Sequence, residues 1–103
     1  MAHLYEYSSP ELLRMLGKRF RDYRMRWNLT QKEVAELTGL NYNTVGGFEN
    51  GSNKNISVTT LIALLKVVGR IDALDDLMPE LPPSPYLLRK EKTAQRIRHK
   101  KDE

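Results

Sequence analysis

The segment from Thr30 to Gly51 contains, in close succession, the start and stop signals of two short helices. Thr30 and Glu33 form a capping box, in which each side chain accepts a hydrogen bond from the backbone N–H of the other residue. Gly39 ends the first helix, because glycine adopts the left-handed conformation that stops one. Asn41 caps the next helix, and Gly51 closes it. Two short helices joined by so tight a turn predict a helix-turn-helix motif.

The flanking segments predict three further helices. Residues 9–11 (Ser-Pro-Glu) indicate the start of the first, with Ser9 as the cap. Ser57 caps a fourth helix over residues 58–68, which is apolar on most sides and is therefore expected to be central in the core. A fifth, short helix begins near Asp72 and ends before Pro79. The first helix is expected to bury one apolar stripe, recurring at three- and four-residue spacing: Leu13, Leu16, Phe20, Tyr23 and Trp27.

The two helices of the motif supply the rest of the predicted core. The second is expected to bury Val34, Ala35 and Leu37, and the third Val45 and Phe48. The sequence therefore predicts an all-α fold of five helices over residues 10–79. Residues 1–9 form an N-terminal extension, and residues 80–103 form a Pro-rich linker and a basic C-terminal tail.

Composition limits the classes of function. The chain of 103 residues is long enough for one core and has no cysteine, which excludes disulfides and thiolate metal sites. Its two histidines, His3 and His99, lie in the predicted ends, and no glycine-rich phosphate loop follows a strand. We therefore expect no catalytic residue, metal or cofactor. The lack of a long apolar run or signal-peptide pattern predicts a cytoplasmic protein with no membrane partner.

Basic residues are concentrated in two places in this chain of net charge +4. Residues 80–103 carry 7 Lys/Arg against 4 Asp/Glu. Such clusters suit a polyanion, although a solvated helix face has the same composition. The other cluster has a single acid, Asp22, among six basic residues: Arg14, Lys18, Arg19, Arg21, Arg24 and Arg26.

Several short motifs, in one order, resemble the XRE/Cro-C1 family of helix-turn-helix regulators, which has the fold of the lambdoid phage repressors. The match spans roughly residues 12–78. The resemblance implies a lambda-repressor-like five-helix domain that binds palindromic operators on double-stranded DNA as a symmetric dimer. The motifs are Leu-Gly-Lys-Arg-Phe-Arg at 16–21, Leu-Thr-Gln-Lys-Glu-Val-Ala at 29–35, Thr-Gly-Leu-Asn at 38–41, Thr-Val at 44–45, Phe-Glu-Asn-Gly at 48–51, Thr-Leu at 60–61, and Leu74 with Leu77.

The resemblance also implies site residues. Glu49 is expected to hold the helices of the motif together and not to contact DNA. The residues expected to contact base edges are Tyr42, Asn43, Thr44 and Gly47. The residues expected to contact phosphate are Gln31, Lys32, Arg24, Asn50 and Lys54. The chemistry is compatible, because helix N-termini bind phosphate and asparagine pairs with adenine. The expected homodimer interface is Ile71, Leu74, Leu77 and Met78, with residues 1–9 as a further contributor.

Gly46 and Gly47 depart from the family pattern, which usually has larger polar residues there. Two interior glycines should weaken the helix by roughly 2 kcal/mol relative to alanine. Three interpretations are open. The glycines let the backbone approach DNA closely, or they leave the helix soft until DNA orders it, or they shift recognition from base contacts to DNA shape and phosphates.

The C-terminal segments are similar to HipB-like antitoxins of HipA/HipB-type toxin–antitoxin modules. The resemblance lies in residues 74–79, residues 82–85 and the Lys/Arg-rich end. It implies a repressor of its own operon that binds a HipA-like kinase toxin. The alternative is a protein-interaction module that neutralises a toxin and binds DNA only secondarily. The tail could also add phosphate contacts, bind RNA or another anionic surface, or remain solvated without a partner.

Overall fold

The computed structural model describes residues 3–83, and this part of the chain is helical without a strand. A single 3-10 turn, Leu4–Glu6, precedes the α-helices. None of the helices within residues 3–83 is long and apolar enough to cross a membrane. The predicted all-α, five-helix fold is confirmed; the basic tail beyond residue 83 lies outside the described residues. The helices are α1 (Ser9–Arg26), α2 (Gln31–Thr38), α3 (Tyr42–Asn50), α4 (Val58–Val67) and α5 (Ala73–Leu77).

The predicted caps of α2 and α3 are confirmed. Thr30 Oγ1 accepts from the Glu33 backbone N–H at 3.0 Å, and the Glu33 carboxylate accepts from the Thr30 backbone N–H at 2.8 Å. Gly39 and Gly51 take the left-handed conformation, with φ of 74° and 84°. Asn41 Oδ1 accepts from the Asn43 backbone N–H at 2.7 Å and caps α3. These local signals fix the angle between the two helices of the motif.

The predicted cap of α1 was displaced by one residue. Ser8, not Ser9, is the N-cap, and it forms a complete capping box with Glu11. The box needs its members three positions apart, with two residues between them, a spacing that Ser8 has and Ser9 lacks. Because these bonds favour the charged carboxylate, they lower the pKa of Glu11 below its usual value.

The core is smaller than the apolar pattern predicted. Phe20 of α1 meets Phe48 of α3 with 5.7 Å between ring centroids. The expected burial of Leu37 was wrong, since that side chain is 66% exposed. The expected stripe on α1 was also wrong at Leu16, Tyr23 and Trp27, which are exposed. A bundle of four short helices has too little interior to cover an 18-residue helix along its length. The buried apolar residues are Phe20, Val34, Ala35, Val45, Phe48, Leu64 and Val68.

The fourth and fifth helices also differ from expectation. Within α4 only Leu64 is fully buried, and Val68 is the C-cap rather than a helical residue. This helix therefore contributes Leu64 to the core and packs Leu61 and Val67 against it, while its other apolar residues are half-buried or exposed. The fifth helix begins at Ala73 instead of Asp72. The described residues up to Ala73 belong to one compact unit, and the described residues from Leu74 belong to another. The predicted domain bounds, 1–9, 10–79 and 80–103, remain predictions.

Gly17 brings α1 against α3. It is buried, and a Cβ atom built on it would collide with the backbone carbonyl oxygen of Phe48. Only a residue without a side chain allows so close a backbone approach. Gly17 belongs to the sequence motif at 16–21, but no local pattern there indicates that it fixes α3 relative to α1.

Candidate nucleic-acid interface

The start of α3 presents polar side chains to solvent. Tyr42 is 53% exposed, Asn43 is exposed and Thr44 is half-buried. Val45 and Phe48 face the opposite way, into the core, with 0% and 1% exposure. The first turn of α3 therefore carries three of the predicted base-contacting residues, held in place by the buried face of the same helix.

A buried ion pair joins α1 to α3. Arg24 Nε and Nη2 donate to the two carboxylate oxygens of Glu49 at 2.7 and 2.9 Å, and Arg24 Nη1 donates to the Leu29 carbonyl at 2.7 Å. Only 11% of the arginine side chain and 3% of the glutamate side chain are exposed. The bonded carboxylate raises the pKa of Arg24 above its usual value. This bidentate geometry is the strong, directional form of an ion pair.

The ion pair changes the role assigned to Arg24. Its guanidinium is held inside the motif by Glu49 and by the backbone of Leu29, so it does not stand free for phosphate. These bonds give Arg24 a structural role, and its expected phosphate contact stays a prediction. The expectation that Glu49 ties the motif together agrees with these bonds.

Gln31, the first residue of α2, is attached to the same carboxylate. Its Nε2 donates to Glu49 Oε1 at 3.0 Å, and the residue is half-buried. This bond uses one of the two amide hydrogens of Gln31. The other can donate to a ligand, and so can the backbone N–H groups at the helix start that have no intrahelical acceptor. Lys32 follows and is exposed. The N-terminus of α2 thus gathers donors and one positive charge that suit a phosphate.

A second set of donors lies where α3 ends. Asn50 is exposed, and its Oδ1 accepts from the Ser52 backbone N–H at 2.8 Å, which leaves its NH2 group to donate. Lys54 is exposed in the following loop. Arg14 of α1 was missed by the sequence analysis: its Nε lies 3.2 Å from where a Cβ on Gly51 would stand. No local signal linked Arg14 to this end of α3, because the packing of α1 on α3 brings it there.

Gly46 and Gly47 lie within an unbroken α3 and differ in their surroundings. A Cβ on Gly46 would lie 3.3 Å from Gln31 Oε1. Gly47 is buried, since Asn53 Cβ and Ser52 Oγ lie 3.1 and 3.2 Å from where its Cβ would stand. The expectation that Gly47 contacts base edges stays a prediction, and the loop after α3 lies against this residue.

No group of three or more metal-ligating side chains occurs within residues 3–83. The polar groups described above are hydrogen-bond donors and cations on two sides of an exposed helix start. They suit an extended anionic partner with base edges between its phosphates.

Two comparisons with known proteins agree with this geometry. The family described as Helix-turn-helix (HTH_3) matches residues 20–73, which include α2, α3 and α4. Control protein C.SmaI of Serratia marcescens is 32% identical over 71 residues, covering 69% of this chain and 76% of that protein. Neither match supports a HipB-like antitoxin. The chain belongs to the XRE-type helix-turn-helix family and is a DNA-binding transcriptional regulator.

Proposed function

We propose that this regulator is a sequence-specific repressor that binds a two-fold symmetric operator as a homodimer, with the start of α3 in the major groove. One observation carries the proposal. The contacts among Arg24, Glu49 and Gln31 fix α3 against α1 and α2, while Asn43 stays exposed at its first turn. A rigidly held helix with a free polar end is what major-groove recognition requires.

Base contacts are proposed for Tyr42, Asn43 and Thr44. The carboxamide of Asn43 has the donor and acceptor pair that matches adenine N7 and N6 in the major groove. Thr44 offers a hydroxyl and a methyl group, the latter for thymine. The Tyr42 ring packs on a thymine methyl or its hydroxyl donates to phosphate. Asn43 is expected to contribute most to discrimination, because its amide makes two bonds to one base.

Phosphate contacts are proposed on both sides of α3. Gln31 and Lys32 contact one phosphate at the start of α2. Asn50, Lys54 and Arg14 contact another beyond the end of α3. Contacts of this kind fix the register of the protein on the duplex without carrying sequence information, and they make the affinity depend on salt.

Dimerisation is proposed through the apolar residues near α5. Ile71, Leu77 and Met78 are 38%, 64% and 83% exposed, while Leu74 is half-buried. Large exposed apolar side chains are typical of surfaces that bind another protein. A symmetric dimer would place two recognition helices about 34 Å apart, and so the operator half-sites about one helical turn apart.

The proposal is tested by a gel shift on the DNA upstream of the protein's own gene, since the repressor is proposed to control its own operon. We expect a complex that resists nonspecific competitor and weakens steeply with salt. Asn43→Ala should lower operator affinity roughly 5- to 150-fold. Binding that is equal on operator and random DNA, and unchanged by Asn43→Ala, would refute sequence-specific recognition through α3.

A matched pair of lysine variants tests the phosphate contacts. Lys32→Gln should reduce the slope of log affinity against log salt by about two, one for each subunit of the proposed homodimer. Lys66→Gln removes the same charge from the exposed surface of α4, and it should leave that slope unchanged. Equal slopes for both variants and the wild type would contradict the assignment of Lys32.

The toxin-neutralising alternative stays a prediction. It rests on the Pro-rich and basic segments, most of which lie outside the described residues. No contact described within residues 3–83 favours a HipA-like partner. Removal of residues 80–103 distinguishes the two functions: an antitoxin would lose its partner and keep DNA binding, whereas a repressor without a partner would keep full operator control.

A further inference from the structure

The outward face of α3 has a gap where the sequence places Gly47. An α-helix turns about 100° per residue, so Gly47 points roughly 200° away from Val45, which is fully buried. It shares this outward face with Asn43 and Asn50, which are four residues before it and three after it. Both asparagines are exposed. A side chain at position 47 would therefore stand between them, on the face that we propose enters the groove.

The loop after α3 fills this gap. The Asn53 backbone N–H donates to the Gly47 carbonyl at 3.0 Å, which folds the loop back over the helix. Asn53 Cβ then lies 3.1 Å from the position that a Cβ on Gly47 would take, and Ser52 Oγ lies 3.2 Å from it. This explains why Gly47 is buried although its direction is outward. The side chain of Asn53 therefore begins beside the point where a side chain of residue 47 would begin.

Asn53 also keeps hydrogen-bonding capacity for a ligand. Its Oδ1 accepts from the Asn55 backbone N–H at 3.2 Å, and this bond restrains the amide plane. Within residues 3–83 the amide nitrogen makes no hydrogen bond, so its two hydrogens remain available. In the major groove, guanine O6 and N7, adenine N7 and thymine O4 are acceptors for such a donor.

We infer that Asn53 is a specificity-determining residue, which donates to a base edge in place of the side chain that Gly47 lacks. The inference rests on the proposed function, that α3 occupies the major groove. It also explains why residue 47 is a glycine, because the absence of a side chain there makes room for a base-contacting group from the loop. The side chain beside Gly47 then comes from the loop after α3 and not from the recognition helix itself.

The test compares two aspartate variants of the full-length chain. Asn53→Asp keeps the shape and the Oδ1 acceptor used by Asn55, but it replaces the amide donor by an acceptor with a negative charge. Asn55→Asp places the same charge two residues away, where only the backbone N–H of Asn55 is engaged. The base preferences of the wild type and both variants are measured by selection from randomised duplex DNA, with melting followed by circular dichroism.

We expect Asn53→Asp to lose or change the preference at one or two positions of each half-site by roughly 5- to 150-fold. Asn55→Asp should lower affinity uniformly and keep the base preferences. Gly47→Ala, which forces Asn53 to shift by a few tenths of an ångström, should change the same positions as Asn53→Asp.

Three results would overturn the inference. One is a wild-type preference that both aspartate variants retain, which would make Asn53 a phosphate contact or a bystander. Another is unfolding of Asn53→Asp, which would give the residue a purely structural role. The third is a wild type without any base preference, which refutes the proposed function itself and removes the groove that the inference needs; the other two leave the proposed function intact.

Discussion

Replacing Arg24 by methionine should be among the most damaging single changes to this domain. The substitution keeps most of the side-chain volume but removes three hydrogen bonds, two to Glu49 and one to the Leu29 carbonyl. It leaves the Glu49 carboxylate, only 3% exposed, with Gln31 as its remaining side-chain partner. Removing one member of a buried ion pair costs about 3–5 kcal/mol, because the other charge stays buried and uncompensated.

That cost is large compared with the stability available. Small domains unfold with a free energy of about 5–15 kcal/mol, and the shortest lie at the lower end. At roughly 4 °C or more per kcal/mol, Arg24→Met should lower the melting temperature by at least about 12 °C. Urea unfolding, followed by circular dichroism and by the fluorescence of the single tryptophan, Trp27, gives the free energy directly.

A double variant separates the charge effect from simple loss of packing. Arg24→Met combined with Glu49→Leu removes both charges, and it should recover a substantial part of the stability that Arg24→Met alone loses. A loss below about 1 kcal/mol for Arg24→Met would refute the reasoning. So would a double variant as unstable as the sum of its two single variants, since the two side chains would then act independently.

Three further substitutions test the packing of the helices. Gly17→Ala should cost about 3 kcal/mol or more, because its Cβ meets the Phe48 carbonyl, which belongs to backbone and cannot give way; a urea midpoint near that of the wild type would contradict this close approach. Gly46→Ala should raise the free energy of unfolding by up to about 1 kcal/mol, and with it the urea midpoint, since the new Cβ would meet the end of the flexible Gln31 side chain. A lower urea midpoint would show that the Gln31 side chain cannot move. Trp27→Phe should cost about 1 kcal/mol, measured by thermal melting, because it removes the indole bond to the Val68 carbonyl at 2.7 Å; an unchanged melting temperature would mean that water replaces it.

The parts of the fold that sequence predicted correctly are set by neighbours in the chain. The box of Thr30 and Glu33, the left-handed Gly39 and the cap at Asn41 each act over one to three residues. These hydrogen bonds and backbone conformations involve only residues of one short segment. The bounds of α2, the turn and α3 can therefore be predicted to the residue. The cap of α1 failed only because two serines stand side by side, and the spacing to Glu11 selects Ser8.

The parts that sequence did not predict depend on residues far apart in the chain. Arg24 looked like one more member of a basic cluster, and only the approach of α1 to α3 pairs it with Glu49, 25 positions away. Apolar periodicity placed Trp27 in the core, yet the residue is 57% exposed. Its indole closes the end of α1 onto the end of α4, through a carbonyl 41 residues away. Periodicity gives the direction of a side chain, and the extent of the neighbouring helices decides how much of it is covered.

The glycine pair shows the same limit at the site itself. From the sequence, Gly46 and Gly47 carry the same cost in helix stability, and each of the three open interpretations treats them as a pair. In the structure, a Cβ on Gly46 would meet the Gln31 amide, whereas Gly47 lies against the backbone and side chain of Asn53. Of the two, only Gly47 is expected to be required for specific binding. Its helix cost is then the condition for a loop residue to reach the groove. Gly46→Ala should therefore raise the free energy of unfolding, whereas Gly47→Ala should change the base preferences.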